Sequence, residues 1–490
     1  MKKLGFDNEK YLELQSQYIQ ERVSKFGDKL YLELGGKLFD DFHASRVLPG
    51  FKPNSKLTML KKLVDKIEIV IAISAIDIVT NKVRSDYNLT YDLDTIRLIE
   101  VLKKEGFYVG SVAITKYSGQ READTFKKKL ESMGIKVYIL NFIDGYPSNV
   151  ELLASSDGFG RNDYIETDRP IIVLTAPGPG SGKMSVCLSQ IYLENLRGIK
   201  AGYAKFETFP VWNLPLKHPV NLAYEAATVD LNDVNMLDPF HLEAYGETTV
   251  NYNRDIEAFP ILNSLFDKIL GESPYKSPTD MGVNMVGNCI IDETVVCEAS
   301  KNEILRRYYQ VLKDRLNGKI PEDVYYKMNM ILKQSNVNID SRQVIKYALE
   351  KESVSGCISC AIELEDGTII QGRQTETLSS ASAVILNALK YLAGISENKH
   401  LILPEVLIPL QELKTKQLKT DIRLNIDETL IALSICAANE ENAKKALNQI
   451  ENLYGLEMHS TFILSKSEET VLKRLGINMT SEAKYKKFDV

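Results

Sequence analysis

At 490 residues the chain exceeds one ordinary hydrophobic core, and its length implies about two to four domains. Sixty basic against 66 acidic residues leave a net charge of −6, which offers no polyanion-binding surface and excludes nucleic acid as the main partner. The longest apolar run, Ile67 to Val79, is short and is broken by Glu68 and Asp77, which excludes a membrane span.

Six cysteines in so long a chain make no disulfide framework. Asp7, Glu9 and Lys10 stand where a signal peptide would begin its apolar run. The expectation is a soluble protein of a reducing cytoplasm.

In chain order, Asp7 caps a helix that runs to Phe26 and stops at Gly27. Strands follow at Lys29–Leu34 and Ile67–Ile73, then a helix at Leu93–Glu105 and a strand at Tyr108–Ile114. A charged helix, Arg121–Met133, leads to strand Val137–Leu140. Strand Ile171–Thr175 enters a glycine loop, helix Lys183–Arg197 leaves it, and strand Ala201–Phe206 comes next. Strands alternating with helices predict a mostly parallel sheet covered on both faces, a three-layer domain over 1–228. A loop-rich acidic stretch, Trp212–Asn253, precedes a mainly helical middle domain over 229–350. There Ser300-Lys-Asn-Glu303 has the form of a capping box that opens a helix, Pro321 suits a first helical turn, and Asp340-Ser341 starts another helix. A third unit over 351–490 is α/β again. Strands Gly356–Leu364 and Thr368–Gly372 turn at Asp366-Gly367, and helix Ser379–Ala393 is rich in small residues. Helices Glu440–Leu453 and Ser467–Leu475 flank strand Glu457–Leu464. The small-residue face of Ser379–Ala393 suggests close packing, across a subunit interface in a homo-oligomer.

The most informative motif is Pro177-Gly178-Pro179-Gly180-Ser181-Gly182-Lys183, between a strand and a helix. Glycines let backbone amides turn toward phosphate oxygens, the helix start adds positive potential, and a lysine meets the outer phosphate. The P-loop form needs a first glycine where Pro177 stands and a magnesium-binding hydroxyl where Met184 stands. Ser185 comes one residue late, about 100° round the helix. Met184 with Cys187, Leu188 and Ile191 also forms an apolar stripe. The dinucleotide pattern fails because Lys183 occupies its third glycine position. The motif therefore predicts phosphate binding by Gly178, Gly180, Ser181, Gly182, Lys183 and Ser185, against the plainer alternative of a tight turn with an exposed lysine. A nucleotide, with magnesium, is the cofactor it suggests.

A second glycine turn, Gly35-Gly36-Lys37, follows the first strand, with His43 and Arg46 close behind. Ligands of parallel sheets collect beyond the strands' carboxyl ends, so this turn and the Lys183 loop could share a crevice, and an ordinary surface turn is the alternative. Asp280 or the acidic stretch (His218, Glu225, Asp230, Asp233, Asp238, His241, Glu243) could supply a base or hold magnesium, although a solvated loop explains the stretch as well. His241-Leu-Glu243 with Cys357-Ile-Ser-Cys360 imitates a zinc-deaminase signature. It lacks the preceding proline, and cysteines three apart on a strand face opposite ways, so no metal site is assigned. Cys187, Cys289, Cys297 and Cys436 read as buried apolar groups.

Four long segments, Tyr31–Phe51, Ala176–Lys183, His218–Thr228 and Ser277–Asn284, resemble a bacterial family catalogued as a domain of unknown function (number 1846). The resemblance spans essentially the whole chain. It implies a multidomain cytosolic protein and brings no established activity. Some members carry the label ATP-dependent zinc protease, and no His-Glu-x-x-His helix here supports it. The third unit is similar to the three-layer fold of cytidine deaminases, without their zinc ligands. The expected function is binding of a nucleotide or phosphorylated metabolite, leaning toward an enzyme with Lys183, His43, Arg46 and Asp280 in its site. A non-catalytic sensor or assembly protein is the alternative, and a zinc hydrolase or deaminase a more distant one.

Overall fold

The computed structural model describes residues 3–27, 29–36, 38–39, 41–84 and 88–485. Two compact units emerge, 4–225 with 232–300, and 226–231 with the chain from Lys301 onward. Among the described residues no helix is long and apolar enough to cross a membrane.

The first unit is built on seven strands: β1 (Lys29–Leu34), β2 (Ile67–Ser74), β3 (Tyr108–Tyr117), β4 (Lys136–Asn141), β5 (Ile171–Thr175), β6 (Ala201–Phe206) and β7 (Gly282–Val283). They lie in the order β7-β6-β1-β5-β2-β3-β4, and every pairing is parallel. All residues of β2 and β5 are buried, so both faces of the sheet are covered, as parallel sheets require. Helix α1 (Asn8–Phe26) is capped by Asp7, whose carboxylate accepts the Lys10 amide at 3.0 Å. Helix α2 (Phe42–Val47) follows β1, and helix α3 (Lys183–Leu196) follows β5. The chain leaves β1 toward β2 but leaves β6 toward β7, so the direction of winding reverses between two neighbouring strands. That is where an open parallel sheet forms a crevice at its carboxyl edge.

The acidic stretch is better ordered than a solvated loop. It contains helices Pro219–Ala227 and Pro239–Tyr245 and an antiparallel pair, Asn235–Leu237 with Val250–Tyr252. Asp238 is buried, caps the second helix through the His241 amide and accepts the Thr279 hydroxyl at 2.7 Å. The expected cap at Ser300 is overturned: helix α4 (Glu293–Leu316) runs straight through it. Ser300 instead donates to the Val296 carbonyl one turn back, and Glu303 is committed to Arg306 and Arg307. A local cap signature cannot register that the preceding apolar residues already continue the helix.

The second unit has strands β8 (Ser359–Glu363), β9 (Ile369–Arg373), β10 (Glu457–Ser460) and β11 (Asn478–Ser481) in the order β9-β8-β10-β11. Only β10 and β11 are parallel. Cys360 and Ile362 face a core with helix α6 (Ser380–Leu392), and Ala361 faces Val344 and Ala348 of helix α5 (Gln343–Ser355). The sheet is thus sandwiched between helices. Ser380, Ala381, Ser382 and Ala388 are buried within this unit, so the small residues serve the sheet contact. Cys357 precedes β8 and lies outside the strand expected to hold both cysteines.

Candidate functional site

Strands β1 and β6 alternate polar and apolar residues, Lys29-Leu-Tyr31-Leu-Glu33 and Tyr203-Ala-Lys205-Phe-Glu207. Their register sets Tyr31 beside Tyr203 and Glu33 beside Lys205, so the polar residues share one face. The face is buried nonetheless, and its groups are satisfied in pairs. Glu194, from α3, receives the Tyr31 hydroxyl at 2.9 Å and the Lys29 ammonium at 2.6 Å. Glu33 receives the Tyr203 hydroxyl at 2.9 Å, and Lys183 at the start of α3 stands 4.0 Å from its other oxygen.

At the carboxyl end Lys205 is held between Glu207, at 2.7 Å, and Asp255, in a very short contact. Burial pushes the Glu207 carboxyl up to about 7, with Asp255 and Glu33 adding to the rise and Lys205 opposing it. A buried carboxylic acid poised near neutrality is suited to taking and giving protons. Because its folded value is raised, the protonated form stabilises the fold at low pH. That contribution is lost as pH rises from the ordinary carboxylate range through about 7. Glu207→Gln is therefore expected to flatten the stability profile, gaining roughly 1–3 kcal/mol on wild type between pH 5 and pH 8. Urea unfolding at both pH values reads this directly, and identical slopes would show Glu207 ionised throughout.

The glycine loop adjoins this network through Glu33. Gly180 and Gly182 have φ of 80° and 84°, the left-handed region that glycine reaches without strain. A Cβ at Gly178 would run into the Tyr91 hydroxyl, and one at Gly182 would press on the Thr115 side chain. Three of the loop's carbonyls are occupied by side chains. Ser181 Oγ donates to Gly178 at 2.9 Å, Lys116 Nζ to Gly180 at 3.0 Å and Thr115 Oγ1 to Ser181 at 2.8 Å. Among the described residues no acceptor meets the amides of Gly180, Ser181, Gly182 or Lys183. Ser185 meets the Tyr146 hydroxyl, and Met184 is only half buried, outside the core stripe expected for it.

The second glycine turn leaves the sheet beside the first, since β1 and β5 are neighbours. Gly35 lies against the Phe206 carbonyl and donates to it at 2.9 Å, and Lys56 reaches the Gly35 carbonyl at 3.4 Å. Lys56 also pairs with buried Asp41 at 2.9 Å. Burial alone would raise the Asp41 carboxyl, but Lys56 and the Ala44 amide outweigh it and hold it below its ordinary value. His43 packs edge-on to Phe209 and Tyr224, with ring centroids 5.3 and 5.5 Å away, and Arg46 lies on the same helix α2. Lys37 lies outside the described residues.

Asp280 is placed apart from the loop. It accepts Tyr245 Oη and the Lys276 amide, each at 2.9 Å, and lines a cavity of about 380 Å³ with Arg22 and His241. Glu33, Lys205, Glu207, Asp255 and Lys56 were not anticipated. The signal for three of them, Glu33, Lys205 and Glu207, was the polar alternation along two strands whose neighbours are continuously apolar.

One cluster among the described residues could offer three ligand atoms to a metal: His218, Glu293 and Cys297, within 4.8 Å of one another. His218 Nδ1 accepts the Val220 amide at 3.2 Å, so its proton sits on Nε2, which contacts Glu293 and lies 3.5 Å from Cys297 Sγ. A metal at Nε2 would have to displace that proton with the other nitrogen already engaged. Cys297 is half buried, unlike Cys187, Cys289 and Cys436.

Fold and site together define an α/β protein that gathers ionisable groups at the carboxyl edge of a parallel sheet. The chain belongs to the family described as domain of unknown function DUF1846, matching its N-terminal model over residues 4–336 and its C-terminal model over 340–490. It is similar to a UPF0371 protein of Streptococcus thermophilus, at 51% identity over 99% of this chain and 98% of the relative. A UPF0371 protein of Corynebacterium diphtheriae is 50% identical over the same shares.

Proposed function

We propose that the first unit binds a small phosphorylated ligand, a nucleotide or a phosphorylated metabolite, with a phosphate in the Gly178–Lys183 loop. The observation that carries this reading is the loop's uneven hydrogen bonding: three carbonyls are taken up by side chains and the amides are left over. Such a concavity of amides at a helix start attracts an anion. Among the described residues Lys183 is held by a 4.0 Å approach to Glu33 alone, and it can swing to a phosphate oxygen. Met184 supplies no hydroxyl for magnesium, so the reading is phosphate binding and not the standard magnesium-ATP hydrolysis site. Glu207 is the proposed proton carrier of an enzymatic reaction at this edge.

Lys183→Ala is expected to remove the thermal stabilisation that nucleotides or sugar phosphates confer, a loss of roughly 1.5–3 kcal/mol of binding. A melting-temperature panel of such ligands against both proteins is the test. Equal shifts in wild type and variant, or no shift with any of them, would overturn the proposal.

A further inference from the structure

The second unit holds a cavity of about 330 Å³ that the glycine loop does not reach into, lined only by residues between Lys351 and Leu407. Its charged lining is of one sign. Lys351, Arg373 and Lys390 contribute, with His400 beside them, and no aspartate or glutamate does. Among the described residues none of these four groups is in an ion pair. Some cations of the unit pair closely, as Lys414 with Glu428 at 2.6 Å or Lys313 with Glu469. Among the described residues Lys390 donates to the Glu397 carbonyl, at 3.0 Å, and burial lowers its ammonium from the ordinary lysine value against the opposing pull of the Glu397 charge. Three cations converging on one concavity with no carboxylate in its lining favour an anion there.

Part of the remaining lining is apolar, beside the polar Gln371, Thr375, Thr377 and Asn387, and it is built in advance. Leu378, Leu386, Leu401 and Ile402 supply the hydrocarbon wall. Gly372 allows helix α6 to lie directly on β9, because a Cβ there would strike the Val384 backbone. Asn387 ties that helix to the Gln371 carbonyl at 2.9 Å, and Gln371 reaches the Tyr347 carbonyl at 2.7 Å. The turn at Thr375 is fixed by Arg423, which donates to its carbonyl at 2.8 Å. The volume lies at the small end of the roughly 300–1,000 Å³ typical of ligand pockets.

We propose that this cavity binds a small organic anion, a carboxylate or phosphate ester with an apolar body, its head held by Arg373 and Lys351 and its body against the leucine wall. The guanidinium offers a planar fork to either head group. The site is separate from the proposed phosphate loop, and neither depends on the other being correct.

Calorimetric titration of the full chain with benzoate, phenyl phosphate and uncharged benzyl alcohol tests it. One or both anions should bind saturably, and which one does separates a carboxylate site from a phosphate site. Benzyl alcohol should bind at least about tenfold more weakly. Arg373→Gln should weaken the anion about tenfold or more, read in a Lys183→Ala background so that the glycine loop adds nothing to the phenyl phosphate signal. Circular dichroism checks that Arg373→Gln is folded. In the wild type, the bound anion should also slow acetylation of Lys351 and Lys390 relative to exposed lysines. Failure of both anions to bind, binding by Arg373→Gln equal to wild type, or no protection of the two lysines would overturn the proposal.

Discussion

Lys205→Met is expected to destabilise the first unit by about 3–5 kcal/mol at pH 8, enough to unfold a marginal domain. The ammonium is buried between Glu207 and Asp255. Burial alone would lower its proton affinity, yet Asp255, Glu207 and Glu33 together raise it above the ordinary lysine value. Removing it leaves acidic groups facing one another without a neutralising cation. The loss should shrink at pH 5, where Glu207 is protonated. Adding Asp255→Asn to Lys205→Met should recover part of it, because the remaining network then carries less unpaired charge. Equilibrium unfolding of the three proteins at both pH values is the measurement. A loss below about 1 kcal/mol at pH 8 would mean that the site is solvated and the network weak.

Arg342→Met should do comparable damage in the second unit, again about 3–5 kcal/mol. The guanidinium is fully buried at the start of helix α5 and serves several acceptors at once. Nη2 bonds Glu457 at 2.6 Å, the Met458 carbonyl at 3.2 Å and the Asn478 carbonyl at 2.9 Å, and Nη1 contacts Thr480. It therefore ties α5 to β10 and β11. Glu457 would keep Arg306, at 2.6 Å, so most of the cost comes from stranded carbonyls. Arg342→Lys should restore only a minority of the stability, since an ammonium cannot span acceptors set in a planar fork. Full recovery with lysine would show that charge alone matters there.

Much of the fold was legible because its signals are local. Gly27, Gly134 and Gly198 follow helices that end where expected, and strand Ile171–Thr175 was placed to the residue. The glycine loop was visible for the same reason, being seven consecutive residues. Its partners were not, because Thr115, Lys116 and Tyr91 come from elsewhere in the chain and meet it only through the sheet. Glu33 and Lys205 are 172 positions apart and become neighbours only once β1 and β6 pair. Asp280 was grouped with Lys183 on chemical type alone, and it pairs with Tyr245 in a cavity whose lining holds no residue of the glycine loop. The Ser300 cap misled because a four-residue pattern says nothing of the helix already under way.

The crowding around the glycine loop bears on how it should vary through descent. Gly178 and Gly182 are constrained by Tyr91 and Thr115 whether or not any ligand is ever bound. Selection for stability alone would retain them, so their persistence in a lineage carries no news of function. Lys183 is different: among the described residues nothing in the packing demands a cation there, and the carboxylate it approaches, Glu33, is 4.0 Å away. A lineage that abandoned the ligand would be free to lose that lysine while keeping every glycine around it.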